Sequence, residues 1–161
     1  MKEYTACFTG HREIENLIET QKRHIEATFD LIGRGVRHFL IGGATGFDII
    51  AGQHSFYIKT AVRHMIGDIK LTMVLPCSFD IFTKKWSEID RKRLEHLMTL
   101  TDENIILQEN YSADCYKKRN QYLVENSRYC ICYYNESRYR SGTGQTVRMA
   151  EKQGLEIINI F

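Results

Sequence analysis

Short apolar runs alternate with segments of helical period from one end of this chain to the other. The runs 4–9 (YTACFT), 38–41 (HFLI), 70–75 (KLTMVL), 104–108 (NIILQ), 129–134 (YCICYY) and 156–161 (EIINIF) are strand-like in length and composition. Helix patterns at 14–32, 47–65, 86–100, 114–127 and 143–153 fall between them. A helix after each strand returns the chain so that the next strand runs in the same direction, which is how parallel sheets are connected. The alternation therefore predicts an α/β fold: a three-layer, Rossmann-like domain with a mostly parallel sheet of about six strands and helices on both faces. No repeat, low-complexity tract or linker interrupts the 161 residues, so a single domain over 1–161 is expected. In the first helix Ile14, Leu17, Ile18, Ile25, Phe29 and Ile32 give the expected apolar stripe. In the second, Ile49, Ile50, Phe56, Ala61 and Met65 are the expected buried side.

Three strand-to-helix junctions are built from small and polar residues: Thr9-Gly10-His11-Arg12, Gly42-Gly43-Ala44-Thr45-Gly46-Phe47-Asp48 and Ser141-Gly142-Thr143-Gly144-Gln145-Thr146. In a parallel sheet all three emerge at one edge, where open α/β sheets bind ligands. Gly42, Gly43 and Gly46 have two readings, a tight turn that needs glycine or a backbone that approaches a ligand. Asp48 falls in a first helical turn, where the helix dipole favours a carboxylate. Against a ligand it would repel phosphate and accept hydrogen bonds from ribose hydroxyls. The third junction has no carboxylate, and Arg138 and Arg140 precede it. Ser141, Gly142 and Thr143 then offer hydroxyls and unhindered N–H groups at a helix start, the makings of an anion cradle. Arg12 could fork onto a phosphate, and His11 could donate to a ligand or simply lie at the surface. Arg119 and Asn120 belong to the fourth helix, where Lys117-Lys118-Arg119 reads as a solvated face. Tyr111, Tyr116 and Trp86 are candidates for stacking on a base.

A net charge of +2 is too small for a general polyanion binder, so nucleic acid is not expected as a partner. No apolar run approaches 18 residues, so neither a membrane span nor a membrane partner is expected. The cysteines Cys7, Cys77, Cys115, Cys130 and Cys132 are odd in number and lack metal spacing. They read as reduced thiols in a cytoplasmic protein, with Cys130 and Cys132 packed in the core and no metal expected.

The ordered set TGHR, GGATGFD, LP followed by Trp86, Y-x-x-R-N over Tyr116 to Asn120, and SGT-x-x-T-V with Ala150 resembles the bacterial SLOG superfamily, in its YpsA/YoqJ-type branch. The resemblance spans essentially the whole chain. It implies a Rossmann-like fold related to the DNA-processing protein DprA and to the LOG-type, lysine decarboxylase-like proteins. It also implies a pocket for a nucleotide or nucleotide derivative, in a sensing or regulatory role. LOG enzymes cleave nucleoside monophosphates and carry an Arg-Lys pair and then PGGxGTxxE. Here Arg119 takes the arginine position, with Asn120 in place of lysine. Gly142-Thr143 fits the GT. Arg138, Tyr139 and Arg140 fill the Pro-Gly-Gly positions, and Thr146 stands where the glutamate is expected. A threonine supplies no charge to an oxocarbenium-like centre, so no catalytic residue is assigned.

The expected ligand is thus a nucleotide or ADP-ribose-like molecule held by Gly10, His11, Arg12, Gly42, Gly43, Gly46, Asp48, Arg119, Asn120, Ser141, Gly142 and Thr143. The alternatives are a LOG-like nucleotide N-glycosidase and a DNA-associated or protein-interaction module. A homo-oligomer or protein partner is left open.

Overall fold

A computed structural model describes all residues, Met1–Phe161. In chain order the elements are β1 (Thr5–Gly10), α1 (Leu17–Gly33), β2 (His38–Ile41), α2 (Phe47–Ile66), β3 (Lys70–Leu75), α3 (Phe79–Phe82), α4 (Glu88–Leu100), β4 (Glu103–Ile106), α5 (Cys115–Glu125), β5 (Tyr129–Tyr133), α6 (Gly142–Lys152) and β6 (Glu156–Asn159). Single 3-10 turns at Lys2–Tyr4 and Glu136–Arg138 complete them. All six strands are parallel, in the order β4-β3-β2-β1-β5-β6. The chain builds outward from β1 through β2, β3 and β4, then crosses to the other side of β1 for β5 and β6. The loops leaving β1 and β5 therefore diverge to opposite faces of the sheet. The crevice this opens at the strands' carboxyl ends is where such sheets take ligands.

The two-residue period of the strands divides the core. Ala6 and Phe8 of β1 and Ile131 and Tyr133 of β5 join the larger cluster, with residues of α1, α2 and α4. Cys7, Cys130 and Cys132 point the other way, into a smaller cluster with Leu123 and Val124 of α5 and Val147 and Ala150 of α6. The expected core placement of Cys130 and Cys132 is observed. Both are free thiols without solvent exposure. Burial pushes Cys132 up to about 12, far from the thiolate that reactivity requires. No helix is long and apolar enough to cross a membrane.

Two helix faces differ from the expected ones. In α1 the buried residues are Thr20, His24, Thr28, Leu31 and Ile32, whereas Leu17, Phe29 and above all Ile18, 81% exposed, face outward. The space under α1 is already filled by Phe8, Phe39 and Phe47, so its contact face is made of short side chains and one imidazole. His24 packs against Phe8 with ring centroids 5.1 Å apart and against Phe47 at 5.9 Å. In α2 Ile49 is buried but Ala61 and Met65 are exposed, because Ser55, Ile58 and Val62 form the inner face. The four-residue α3 follows Pro76 in a stretch too short to show a period. Expected strand ends at 108 and 161 retreat to Ile106 and Asn159 on the two edge strands.

His24 has no solvent exposure, and its Nδ1 has no hydrogen-bond partner. Burial lowers its pKa to about 3, with neighbouring His54 adding to the effect. The unfolded chain binds that proton near pH 6.5, so the contribution of His24 to stability is whole above 6.5 and drains away as pH falls towards 3. Denaturant titrations should show a deficit of ~1.4 kcal/mol per pH unit across that window, relative to His24→Leu. Parallel pH profiles for the two proteins would contradict a neutral, buried imidazole.

Candidate functional site

A cleft of about 400 Å³ opens at the switch between β1 and β5, within the range of small-ligand sites. Gly10, His11, Arg12 and Glu13 enter it from the end of β1 and the loop that follows. Ala44 and Asp48 enter from the start of α2, Tyr116, Arg119, Asn120 and Leu123 from α5, and Arg138, Ser141, Gly142 and Thr143 from the start of α6. The α5 residues are spaced by three, four and seven, so one helical face delivers an aromatic ring, a cation, an amide and an apolar contact together.

Arg119 is 6% exposed. One Nη1 proton goes to the Gly42 carbonyl and the Nε–H to Asn120 Oδ1 at 2.8 Å. No hydrogen bond occupies Nη2, which leaves the outer edge of the guanidinium fork for a guest. Asp48 is 5% exposed. Its Oδ2 accepts from the Ala44 N–H at 3.2 Å, and its Oδ1 has no partner. Burial pushes its pKa up to about 6, against the opposing pull of Arg119, the Ala44 hydrogen bond and Arg12. The two buried charges form no ion pair; they approach one another across Gly42. A Cβ there would stand 2.9 Å from Arg119 Nη1 and 3.0 Å from Asp48 Oδ2.

The other two glycines of that junction serve the scaffold. Gly43 faces Met73, Leu75 and Leu94 of the core. Gly46 has φ +81°, and a Cβ on it would strike the Arg12 backbone. Beside it, the Phe47 N–H donates to the His11 carbonyl at 3.2 Å, so the first two loops are bolted together. Gly42, Gly43 and Gly46 are thus outside the cleft lining, although Gly42 carries the carbonyl that positions Arg119. The remaining expected residues, Gly10, His11, Arg12, Asp48, Arg119, Asn120, Ser141, Gly142 and Thr143, all line it.

His11 is buried, and its Nε2 accepts the Asn135 N–H at 2.9 Å. An imidazolium has no lone pair to accept with, so the ring is neutral with its proton on Nδ1. Burial first, and the Arg138 charge second, lower its pKa accordingly. This hydrogen bond joins the loops that follow the neighbouring strands β1 and β5. In α6 the Ser141 hydroxyl caps the helix by accepting from the Gly144 N–H at 3.0 Å. The Gly142 and Thr143 N–H groups have no acceptor, and the first turn holds no acidic residue. Arg148 pins the preceding loop, donating to the Tyr139 carbonyl at 2.7 Å beneath a cation–π contact. Thr146 is fully buried and its hydroxyl donates to the Gly142 carbonyl at 3.0 Å.

Tyr116, Arg138 and Glu13 line the cleft although they stood outside the expected ligand set. One helical turn separates Tyr116 from Arg119, and three residues separate Arg138 from Ser141. Those spacings were the available signal. Glu13 had none. Among the aromatic candidates only Tyr116 lines the cleft. Tyr111 packs on it edge-on at 6.4 Å, and Trp86 lies behind, against Phe82 at 4.9 Å.

Fold and cleft together define a Rossmann-like domain with a cationic, polar cleft at its topological switch point. The YpsA family model, described as the YspA SLOG family, matches residues 7–160, and the chain belongs to that family. No curated protein sequence matches it. Among solved structures it is similar to DNA processing protein A from Helicobacter pylori, described for a unique single-stranded DNA binding mode, with a TM-score of 0.64 and 19% identity. The match covers 97% of this chain and 64% of that one, and at that identity the likeness is one of fold. It corrects one expectation. Nucleic acid was set aside as a partner because of the low net charge, yet a protein of this fold binds single-stranded DNA. Net charge sums the whole surface, whereas Arg12, Arg119 and Arg138 concentrate positive charge in one cleft.

The folded-state pKa of Asp48 lies above its unfolded value, so its contribution to stability is present below about pH 3.8 and is lost as pH rises through about 6. Asp48→Asn should therefore raise the stability of the ligand-free protein at pH 8 by roughly 2–3 kcal/mol and leave it little changed at pH 4. Thermal melts at the two pH values check this, and a destabilised variant at pH 8 would contradict it. Gly46→Ala, by contrast, should cost about 2 kcal/mol or more at either pH.

Proposed function

We propose that this protein binds a phosphorylated, nucleotide-type ligand in the switch-point cleft and acts in the cytoplasm as a sensor or regulator. The carrying observation is Arg119, a buried guanidinium that faces the cleft with Nη2 unengaged. A buried cation with donors to spare is suited to an anionic guest, because the low-dielectric surroundings strengthen the charge-assisted bond. The free N–H groups of Gly142 and Thr143, the cap hydroxyl of Ser141 and the charge of Arg138 suit the same phosphate. Tyr116 offers a face to a base. Nucleoside monophosphates and ADP-ribose-like molecules carry this combination of groups. Binding is favoured over glycosidic cleavage because the Thr146 hydroxyl is committed to its own helix, and no carboxylate takes its place there.

A second reading is a single-stranded DNA interface. The exposed rings of Tyr116 and Tyr111 favour it, since they lie edge to face and lead from the cleft to the surface. The likeness to a DNA-binding protein of the same fold favours it too.

A thermal-shift and calorimetric panel of nucleoside monophosphates, ADP-ribose and oligo(dT) tests both readings. A ligand at one hundred times its Kd should stabilise the protein by about 2.7 kcal/mol, and Arg138→Ala should weaken binding roughly tenfold. A strand with several phosphates neutralised by the protein should show a log–log salt slope of about −0.7 per phosphate, much steeper than a mononucleotide. A flat response across the panel would contradict both.

A further inference from the structure

Resting on the nucleotide-binding reading above, we propose that Asp48 makes the cleft selective for ribose over sugars that lack the vicinal hydroxyls, so that the ligand is a ribonucleotide rather than a deoxynucleotide. The cleft has chemically opposed parts. Arg119 stands beside Asp48, across Gly42 from it, while Arg138 and the open N–H groups of α6 favour an anion. Asp48 repels one, so the part of a nucleotide that meets it must be neutral and rich in donors. Its carboxylate is nine-tenths buried, takes one hydrogen bond from Ala44, and has one oxygen with no partner. A buried carboxylate left so under-satisfied is costly, and the cost is recovered when a guest donates to it. The unpartnered Oδ1 has no exposed surface, so a guest donates to Oδ2, which keeps a lone pair beside the Ala44 hydrogen bond.

A nucleotide has two sets of neutral donors, the sugar hydroxyls and the amino groups of the base. The base has a better wall elsewhere. Tyr116 lines the cleft, is 37% exposed and is backed by Tyr111 and Phe82, which suits stacking without hydrogen bonds. Asp48 lines the cleft as a buried side chain. With the phosphate on the α6 cradle and the base on Tyr116, the sugar edge is what remains for Asp48. A vicinal diol donates two hydroxyls to a carboxylate, a fit that a deoxy sugar loses.

The test is isothermal titration of the wild-type protein with the four ribonucleoside 5′-monophosphates and their 2′,3′-dideoxy counterparts, repeated with Asp48→Asn. The expected result is that the best ribonucleotide binds at least tenfold more tightly than its dideoxy form, and that Asp48→Asn brings the two within about twofold. The wild-type comparison needs no variant to fold. Equal binding of ribo and dideoxy forms, or selectivity that survives in Asp48→Asn, would overturn the proposal while leaving the cleft a nucleotide site. Failure of every nucleotide, and of ADP-ribose added to the same panel, to bind would overturn both.

Discussion

The hydrogen bond from Arg119 to the Gly42 carbonyl holds the site together. It reaches from α5 to the end of β2, and it fixes a cation under the crevice that the strand order opens. Burial disfavours the charged guanidinium, and the nearby Asp48 carboxylate favours it. The arrangement depends on Gly42 having no side chain, since any Cβ would press on both groups. Charge, carbonyl and glycine thus constrain one another, and the cleft inherits its polarity from them.

The same constraint makes the site a place of unspent interaction. Asp48 has an oxygen without a partner, Arg119 has a nitrogen without one, and two N–H groups at α6 have no acceptor. Hydrogen bonding elsewhere holds the walls rather than the interior. His11 ties the β1 loop to the β5 loop through Asn135, and Phe47 ties the α2 start to His11. A hydrogen-bonded rim around unsatisfied polar groups is the kind of preorganisation that favours binding.

Much of this was legible in the sequence. Alternating strand and helix patterns require parallel strands, and parallel strands put the glycine junctions at one edge, so the meeting of residues near 10, 48, 119 and 142 followed from topology. Local spacing did not reveal how Gly43 and Gly46 divide from the cleft. Whether a junction glycine meets a ligand or a neighbouring loop depends on which chain segment packs over it, and here Met73, Leu75 and the Arg12 backbone do. The face of α1 was misplaced for a related reason. Aromatic rings from β1, β2 and α2 occupy its expected footprint, leaving Ile18 outside and drawing Thr20, His24 and Thr28 in. Net charge was too coarse a ground for setting nucleic acid aside, because it averages over a surface on which three arginines share one hollow.

The central claim is that an anionic group docks on the open N–H groups at the start of α6, beside Arg119. Amide resonances of a ¹⁵N-labelled sample, followed during titration with AMP or ADP-ribose, test it most directly. The account predicts large, saturable downfield shifts at Gly142 and Thr143, with smaller changes along α4 and β6. Unmoved signals at Gly142 and Thr143 while other amides respond would contradict it.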